Sequence, residues 1–131
     1  MKEIGLIGLG LVGRAMATRL LAEGHRVRGY DIAADARAAA AALGVEVQED
    51  AAAVARTSGI LLLSLMTSED RRTLLWGPQQ AAAVLAPGTV VLDTTTGTPE
   101  DLCEDASRLL SQGIRLIDVC LSGSSAVISA G

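Results

Sequence analysis

"GLIGLGLVGRAMATRL", residues 5–20, places Gly8, Gly10 and Gly13 within six positions, directly after a short apolar run. Glycine gives up more conformational freedom on folding than any other residue. Three of them where a strand should hand over to a helix imply a return, and bare backbone held against an anionic ligand supplies one. The spacing is G-x-G-x-x-G, a weak signal alone but a specific one between a strand and a helix. There Gly8 makes the tight turn, Gly10 admits a pyrophosphate to the backbone, and Gly13 lets the helix pack on the strand. The N–H groups of Leu11 and Val12, in the first helical turn, point at the phosphates together with the positive end of the helix dipole.

The flanking pattern supplies the rest of the unit. Residues 3–8, "EIGLIG", read as a buried strand. Residues 11–23 set Leu11, Ala15, Leu20 and Leu21 against Arg14, Arg19 and Glu23, an amphipathic helix that stops at Gly24. "RVRGYD", 26–31, is a second strand and ends in Asp31. A carboxylate at that point accepts the ribose hydroxyls of NAD and repels the additional phosphate of NADP. Ile32, not an arginine, follows it. Asp31 also suits the start of the next helix. The complete strand–glycine loop–helix–strand–acid unit nevertheless favours a nucleotide, and the expected cofactor is NAD.

Strand and helix continue to alternate. Helices are expected at 33–43, 49–57, 68–76, 79–86 and about 99–112, and strands at 45–47, 59–65, 89–95 and 114–121. Gly77-Pro78 separates two of the helices, and Pro99 behind Thr98 opens another, with Glu100 and Asp101 at its positive end. This alternation predicts an α/β fold of Rossmann type: a doubly wound, mainly parallel sheet with helices on both faces. The Ala-rich patches all lie in helical windows, and there is no internal repeat.

Length and composition set the bounds. The 131 residues fit one domain, and half are apolar, mostly Ala, Leu, Val and Ile, with no Phe, one Trp and one Tyr. A net charge of −4, with arginines spread along the chain, argues against nucleic acid as a partner. No apolar run approaches membrane-spanning length, and the N-terminal segment is too short and too glycine-punctuated for a signal peptide. A cytoplasmic protein is expected. Cys103 and Cys120 are too few for a disulfide framework and read as buried or half-buried packing thiols. His25, in a helix-to-strand turn, reads as structural, and Trp76 as a core or interface anchor. Glu49-Asp50 and Glu69-Asp70 read as helix-start acids, with no histidine beside them to suggest a metal, and no metal is expected.

"IGLGLVGRAMATRLLAEGHRVRGYD" resembles the opening of the β-hydroxyacid dehydrogenases, the family of 3-hydroxyisobutyrate dehydrogenase, tartronate semialdehyde reductase and 6-phosphogluconate dehydrogenase. Met16-Ala17 and Gly24-His25 match that family's pattern, while Val12 stands for a Met and Arg19 for an Asn. "LLLSLMTSED" resembles its fourth strand, whose end touches the cofactor through the pair occupied here by Leu65 and Met66. "VVLDTTTGTPED" resembles its D-x-S-T-x-x-P segment, with Thr96 at the cofactor-contacting Thr. "IDVCLSGSSAVISAG" resembles the substrate signature: Asp118, Ser122, Gly123 and Gly131 match, and Ser124 replaces the second glycine of a pair.

The resemblance spans the whole chain and implies an NAD-binding domain over residues 1–131, with Ser122 and Gly123 anchoring the carboxylate of a short hydroxyacid of the 3-hydroxyisobutyrate kind. It further implies a C-terminal helical domain and a catalytic lysine, neither of which lies in these residues. Lys2 is the only lysine and opens the first strand. A homo-oligomer formed through that helical domain is the implied full-length assembly. The competing expectation is a non-catalytic nucleotide-binding or interaction module that keeps the fold without the chemistry.

Overall fold

The computed structural model describes residues 1–131. The apolar run Glu3–Ile7 forms strand β1, which pairs in parallel with β2 (Arg26–Tyr30) on one side and β4 (Ile60–Leu63) on the other. Beyond β2 lies the short β3 (Glu46–Val47); beyond β4 lie β5 (Val90–Asp93) and β6 (Arg115–Asp118). The order is β3-β2-β1-β4-β5-β6, with every pairing parallel. The chain starts in the centre of the sheet, builds outward to β3, then crosses back to build the other half. The reversal falls between β1 and β4, where an open α/β sheet leaves a crevice at the carboxyl ends of its strands.

Helices α1 (Leu11–Ala22), α2 (Ala34–Ala42), α3 (Ala51–Arg56), α4 (Ser68–Trp76), α5 (Ala81–Val84) and α6 (Pro99–Leu110) fill the connections. Side chains of the central strands alternate between two cores. Ile4, Leu6 and Leu62 meet Met16 and Ala17 of α1 on one face, while Ile7, Leu61 and Leu63 meet Val54, Leu75 and Leu109 on the other. Being covered on both sides, β1 and β4 carry continuous apolar runs rather than alternating ones.

Several helix starts are chemically determined. Asp50 caps α3 by accepting from Ala53 N, and Thr67 and Asp70 form a reciprocal capping box on α4. Thr98 caps α6 ahead of Pro99. The acids at 50 and 70 are thus helix-start residues, as their positions suggested. The helix expected over 79–86 shortens to the four residues of α5, because Gln80 adopts a left-handed conformation (φ 45°) and the backbone is already extended at Leu85.

Three features depart from the sequence pattern. A final helix, α7 (Ser125–Ala130), forms where the sequence pattern assigned no element; it packs on α1, and Ile128 joins the core beneath. Leu11, assigned to the apolar face of α1, is 70% exposed because the first turn of the helix projects past the end of the sheet. Cys103 and Cys120 are both exposed, not packing thiols: Cys103 faces outward from α6, and Cys120 lies in the loop beyond β6.

Candidate functional site

Each candidate site residue lies in a turn or loop leaving the carboxyl end of a strand, or in the helical turn that follows. Gly8 follows β1 directly with φ +96°, and a side chain there would run into the carbonyl of Ser64. Gly13, in the first turn of α1, is pressed against the carbonyl of Gly8 just as closely. Gly10 is different. A Cβ at Gly10 would meet nothing within 4 Å. Two of the three glycines are therefore demanded by the protein's own packing, and the third faces open space.

Gly10 is also the N-cap of α1 and supplies no side-chain cap, so the first amides of the helix lack that partner. Those amides and the positive end of the helix dipole make an anion site. Beside it, Arg14 donates from Nη1 to the carbonyl of Leu9 at 2.7 Å, which ties the loop to the helix it precedes. No residue pattern singled Arg14 out beyond its polar place on the helix.

Asp31 follows β2, and its carboxylate is already engaged at both oxygens. Leu9 N donates to Oδ2 at 2.7 Å, and Ala33 N donates to Oδ1 at 2.8 Å. The acid thus braces the glycine loop and the entry to α2 together, which makes the two sequence readings of Asp31 compatible. Each ionised oxygen keeps further lone pairs for a ligand hydroxyl.

Two clefts flank the start of α1. The first, about 510 Å³, is lined by Gly8, Gly10, Asp31, Ile32, Leu65 and Met66, with Tyr30 at its side and Asp70 and Gln79 beyond. The second, about 470 Å³, is lined by Val12, the segment Thr94–Pro99 and Asp118, Val119, Cys120, Leu121 and Gly123. Thr96 and Gly123 therefore fall in the second cleft, while Leu65 and Met66 fall in the first. Leu11 and Gly13 line neither. Ser122 is exposed next to Gly123 without lining the cleft itself. Gly123 has φ +104°, a conformation that suits glycine, whereas Ser124 is extended and caps α7 by accepting from Val127 N. A serine in that second place is accommodated without strain.

The opposite, amino-terminal ends of β1 and β2 hold Lys2 and His25. His25 Nδ1 accepts from the backbone N of Lys2 at 3.3 Å, ahead of β1 and β2 and remote from both clefts. Neither side chain reaches the candidate site. No group of three or more His, Cys, Asp or Glu side chains is arranged to hold a metal ion, and no helix is long and apolar enough to cross a membrane.

One charged side chain lining the second cleft, Arg71, was not legible in the sequence. Arg71, from α4, lines it from below while only 1% exposed. The carboxyl of Asp101, at the start of α6, is held below its ordinary value, first by the Ser68 hydroxyl and then by Thr98, with Arg72 and Arg71 contributing. Asp101 Oδ2 accepts from Ser68 Oγ at 2.9 Å, joining α6 to the start of α4.

The profile of the NAD binding domain of 6-phosphogluconate dehydrogenase matches residues 3–131. This chain belongs to that family. Its NAD-binding domain is 33% identical over 129 residues to 2-(hydroxymethyl)glutarate dehydrogenase of Eubacterium barkeri, covering 98% of this chain and 43% of that protein. It is 29% identical over 131 residues to the NAD-dependent L-serine dehydrogenase of Pseudomonas aeruginosa, covering 100% of this chain and 44% of the other. Among solved structures, the 3-hydroxyisobutyrate dehydrogenase of Mycobacterium tuberculosis with L-serine superposes with a TM-score of 0.92 at 31% identity, over 99% of this chain and 44% of that one. The NAD-binding domain thus spans less than half the length of these relatives. The resemblance to β-hydroxyacid dehydrogenases, the Rossmann-type fold and NAD as cofactor all stand.

The site fits that cofactor on its own geometry. Gly10 leaves room where a side chain would stand, the start of α1 offers uncapped amides, and Asp31 presents a carboxylate on one side only.

Proposed function

We propose that this chain is the cofactor-holding part of an NAD-dependent dehydrogenase acting on a short β-hydroxyacid of the 3-hydroxyisobutyrate kind. The observation that carries the reading is the placement of two clefts on either side of the uncapped start of α1. Asp31 lies in one, and Thr96 and the Ser122-Gly123 loop lie at the other. A dinucleotide has two unlike halves joined by a diphosphate, and this arrangement has two unlike clefts joined by an anion site.

In this reading Gly10, Leu11 and Val12 hold the diphosphate through backbone amides. Asp31 takes the adenosine ribose and sets NAD above NADP. Leu65 and Met66 form an apolar wall of the first cleft. Thr96 and Val12 border the nicotinamide side. Ser122 and the amides around Gly123 anchor the substrate carboxylate at the mouth of the second cleft, close to where hydride transfer occurs. The bound cofactor supplies the hydride acceptor or donor. Bringing its two partners together in one orientation is the chief contribution of these residues.

No lysine or histidine is placed to move the hydroxyl proton. Lys2 and His25 sit at the amino-terminal ends of the strands, away from both clefts. The resemblance assigns that proton to a lysine outside these residues. The isolated 131-residue chain is therefore expected to bind NAD and to oxidise 3-hydroxyisobutyrate, glycerate or threonate slower than a complete enzyme by at least ~10²–10⁴-fold, the contribution of general acid–base catalysis. Calorimetry with NAD and a coupled absorbance assay with the three acids test both halves. Absence of NAD binding refutes the reading, and robust turnover by the isolated chain refutes the assignment of the proton donor.

A further inference from the structure

Arg71 of α4 is buried together with two carboxylates from two other elements. Its Nη1 donates to Asp93 Oδ2, at the end of β5, at 2.7 Å; its Nε donates to Asp105 Oδ2, on α6, at 2.8 Å. Arg71 is 1% exposed, Asp93 0% and Asp105 2%. Nη2 lies 2.8 Å from the same Asp105 oxygen but with its hydrogens misaligned, so it is an ionic contact without a hydrogen bond. Arg72 closes the outer side, with Nε donating to Asp105 Oδ1 at 3.1 Å.

A cluster of this kind is a poor way to gain stability. Desolvating the charges offsets most of their attraction, and apolar residues of equal volume often do as well. What the cluster supplies is a fixed geometry, and that geometry leads to the site. Asp93 Oδ1 accepts from Thr95 N at 2.9 Å, so one carboxylate holds Arg71 with one oxygen and the loop after β5 with the other. Thr95 Oγ1 in turn accepts from Leu65 N at 3.4 Å, in the loop after β4. The backbone of Gly97 lies over the guanidinium: a Cβ built there would come within 3.8 Å of Nη1 and 3.0 Å of Ser68 Cβ. The continuous path is Arg71 to Asp93 to Thr95 to Leu65, and it joins the two loops that border both clefts.

We propose that the buried Arg71–Asp93–Asp105 cluster is a positioning device that sets the height and spacing of the 64–66 and 94–98 loops for the nicotinamide half of the cofactor. The inference rests on the cofactor reading above, with the nicotinamide half in the second cleft. Arg71 reaches the wall of the second cleft while 1% exposed, and Asp93 and Asp105 do not line it. They act through Thr95 on the segment that includes Thr96. The adenosine half, held by Asp31 and the glycine loop, depends on none of these bonds except at its Leu65 wall.

The two halves can be separated with two probes. ADP-ribose carries the adenosine and diphosphate but no nicotinamide, whereas NADH carries both and reports its own immobilisation by fluorescence. Arg71→Lys keeps the charge but cannot fork to two carboxylates. Thr95→Val removes the acceptor for Leu65 N at nearly constant volume, and Thr95→Ser restores it. In the folded Arg71→Lys chain, ADP-ribose affinity should stay within about twofold while NADH binds about tenfold more weakly, the scale of one or two hydrogen bonds. The fluorescence gain of bound NADH should fall with it. Thr95→Val should shift NADH in the same direction and Thr95→Ser should recover it, which keeps the test available if Arg71→Lys does not fold. Equal losses for both probes, or none for either, in folded variants would overturn the positioning role. Failure of ADP-ribose to bind the unmodified chain would instead overturn the cofactor reading, and this inference with it.

Discussion

Gly10→Val separates the ligand's need for glycine from the protein's. At Gly10 the backbone is extended (φ −68°, ψ −164°), which any residue adopts, and a Cβ meets no protein atom within 4 Å. Two small terms act on stability. Replacing glycine removes freedom from the unfolded chain, a gain of roughly 0.4–1 kcal/mol where the native conformation suits the new residue. Against this, Val is a poorer N-cap than Gly, a loss of roughly 0.5–1 kcal/mol. They nearly cancel, so the melting temperature should move by only a few degrees. Binding behaves otherwise. Two γ-methyls fill the space through which a diphosphate reaches the first amides of α1. Each charge-assisted hydrogen bond lost costs about 1.5–3 kcal/mol. One such loss weakens NAD about 10–150-fold, and two put binding beyond detection at ordinary concentrations. Calorimetric titration with NAD beside a thermal melt measures both quantities on one sample. A folded Gly10→Val chain that binds NAD as tightly as the unmodified one would refute the phosphate cradle. A chain that fails to fold would refute the claim that the space is open.

Gly13→Ala should show the opposite pattern, unfolding earlier by about 1–3 kcal/mol because its methyl meets the Gly8 carbonyl; denaturant titration measures this, and an unchanged midpoint would contradict the packing. Asp31→Ser should narrow the preference for NAD over NADP, since like-charge repulsion at such a site is worth several kcal/mol. It should also weaken NAD itself, because Leu9 N and Ala33 N lose a charged acceptor; equal affinity of the unmodified chain for the two cofactors would remove the basis for both statements. Asp101 and Glu46 have folded carboxyl values below their ordinary ones, Asp101 through the Ser68 hydroxyl first and Glu46 through its hydrogen bond from Arg26. Their stabilisation is full above the unfolded carboxylate range and is lost as pH falls through the lowered folded values. Urea midpoints should drop on acidification below about pH 4, less so in Asp101→Asn, and an identical drop in that variant would exclude Asp101 as a contributor.

The first half of the site was readable because its signals are local. The glycine spacing, the helix that follows and the acid at the end of the second strand all fall within residues 5–31, and each is fixed by backbone geometry rather than by distant partners. The alternation of strands and helices gave the sheet for the same reason. What escaped was non-local or short. Arg71 sits in "SEDRRTLLW", which reads as an exposed helix face, and nothing in that stretch announces two carboxylates arriving from residues 93 and 105. The helix α7 is six residues of small and β-branched side chains, below the length at which periodicity speaks. It forms because Ser124 caps it and α1 offers a surface for Ile128. The exposure of Cys103 and Cys120 was likewise set by tertiary placement, which residue type does not encode.

The position of β1 has a consequence for how the chain is made. β1 precedes the other five strands in the sequence yet ends up in the middle of the sheet. One of its edges is taken by β2 within about thirty residues, but the other waits for Ile60–Leu63. Until then a growing chain carries Ile4, Leu6 and Ile7 beside an open row of amides and carbonyls, the kind of edge that recruits strands from other molecules. Closure of the sheet across β1 and β4 is a long-range event that cannot begin until Ile60–Leu63 has been made. Termination between β2 and β4 would leave an aggregation-prone fragment, whereas termination past β4 would already cover that edge of β1.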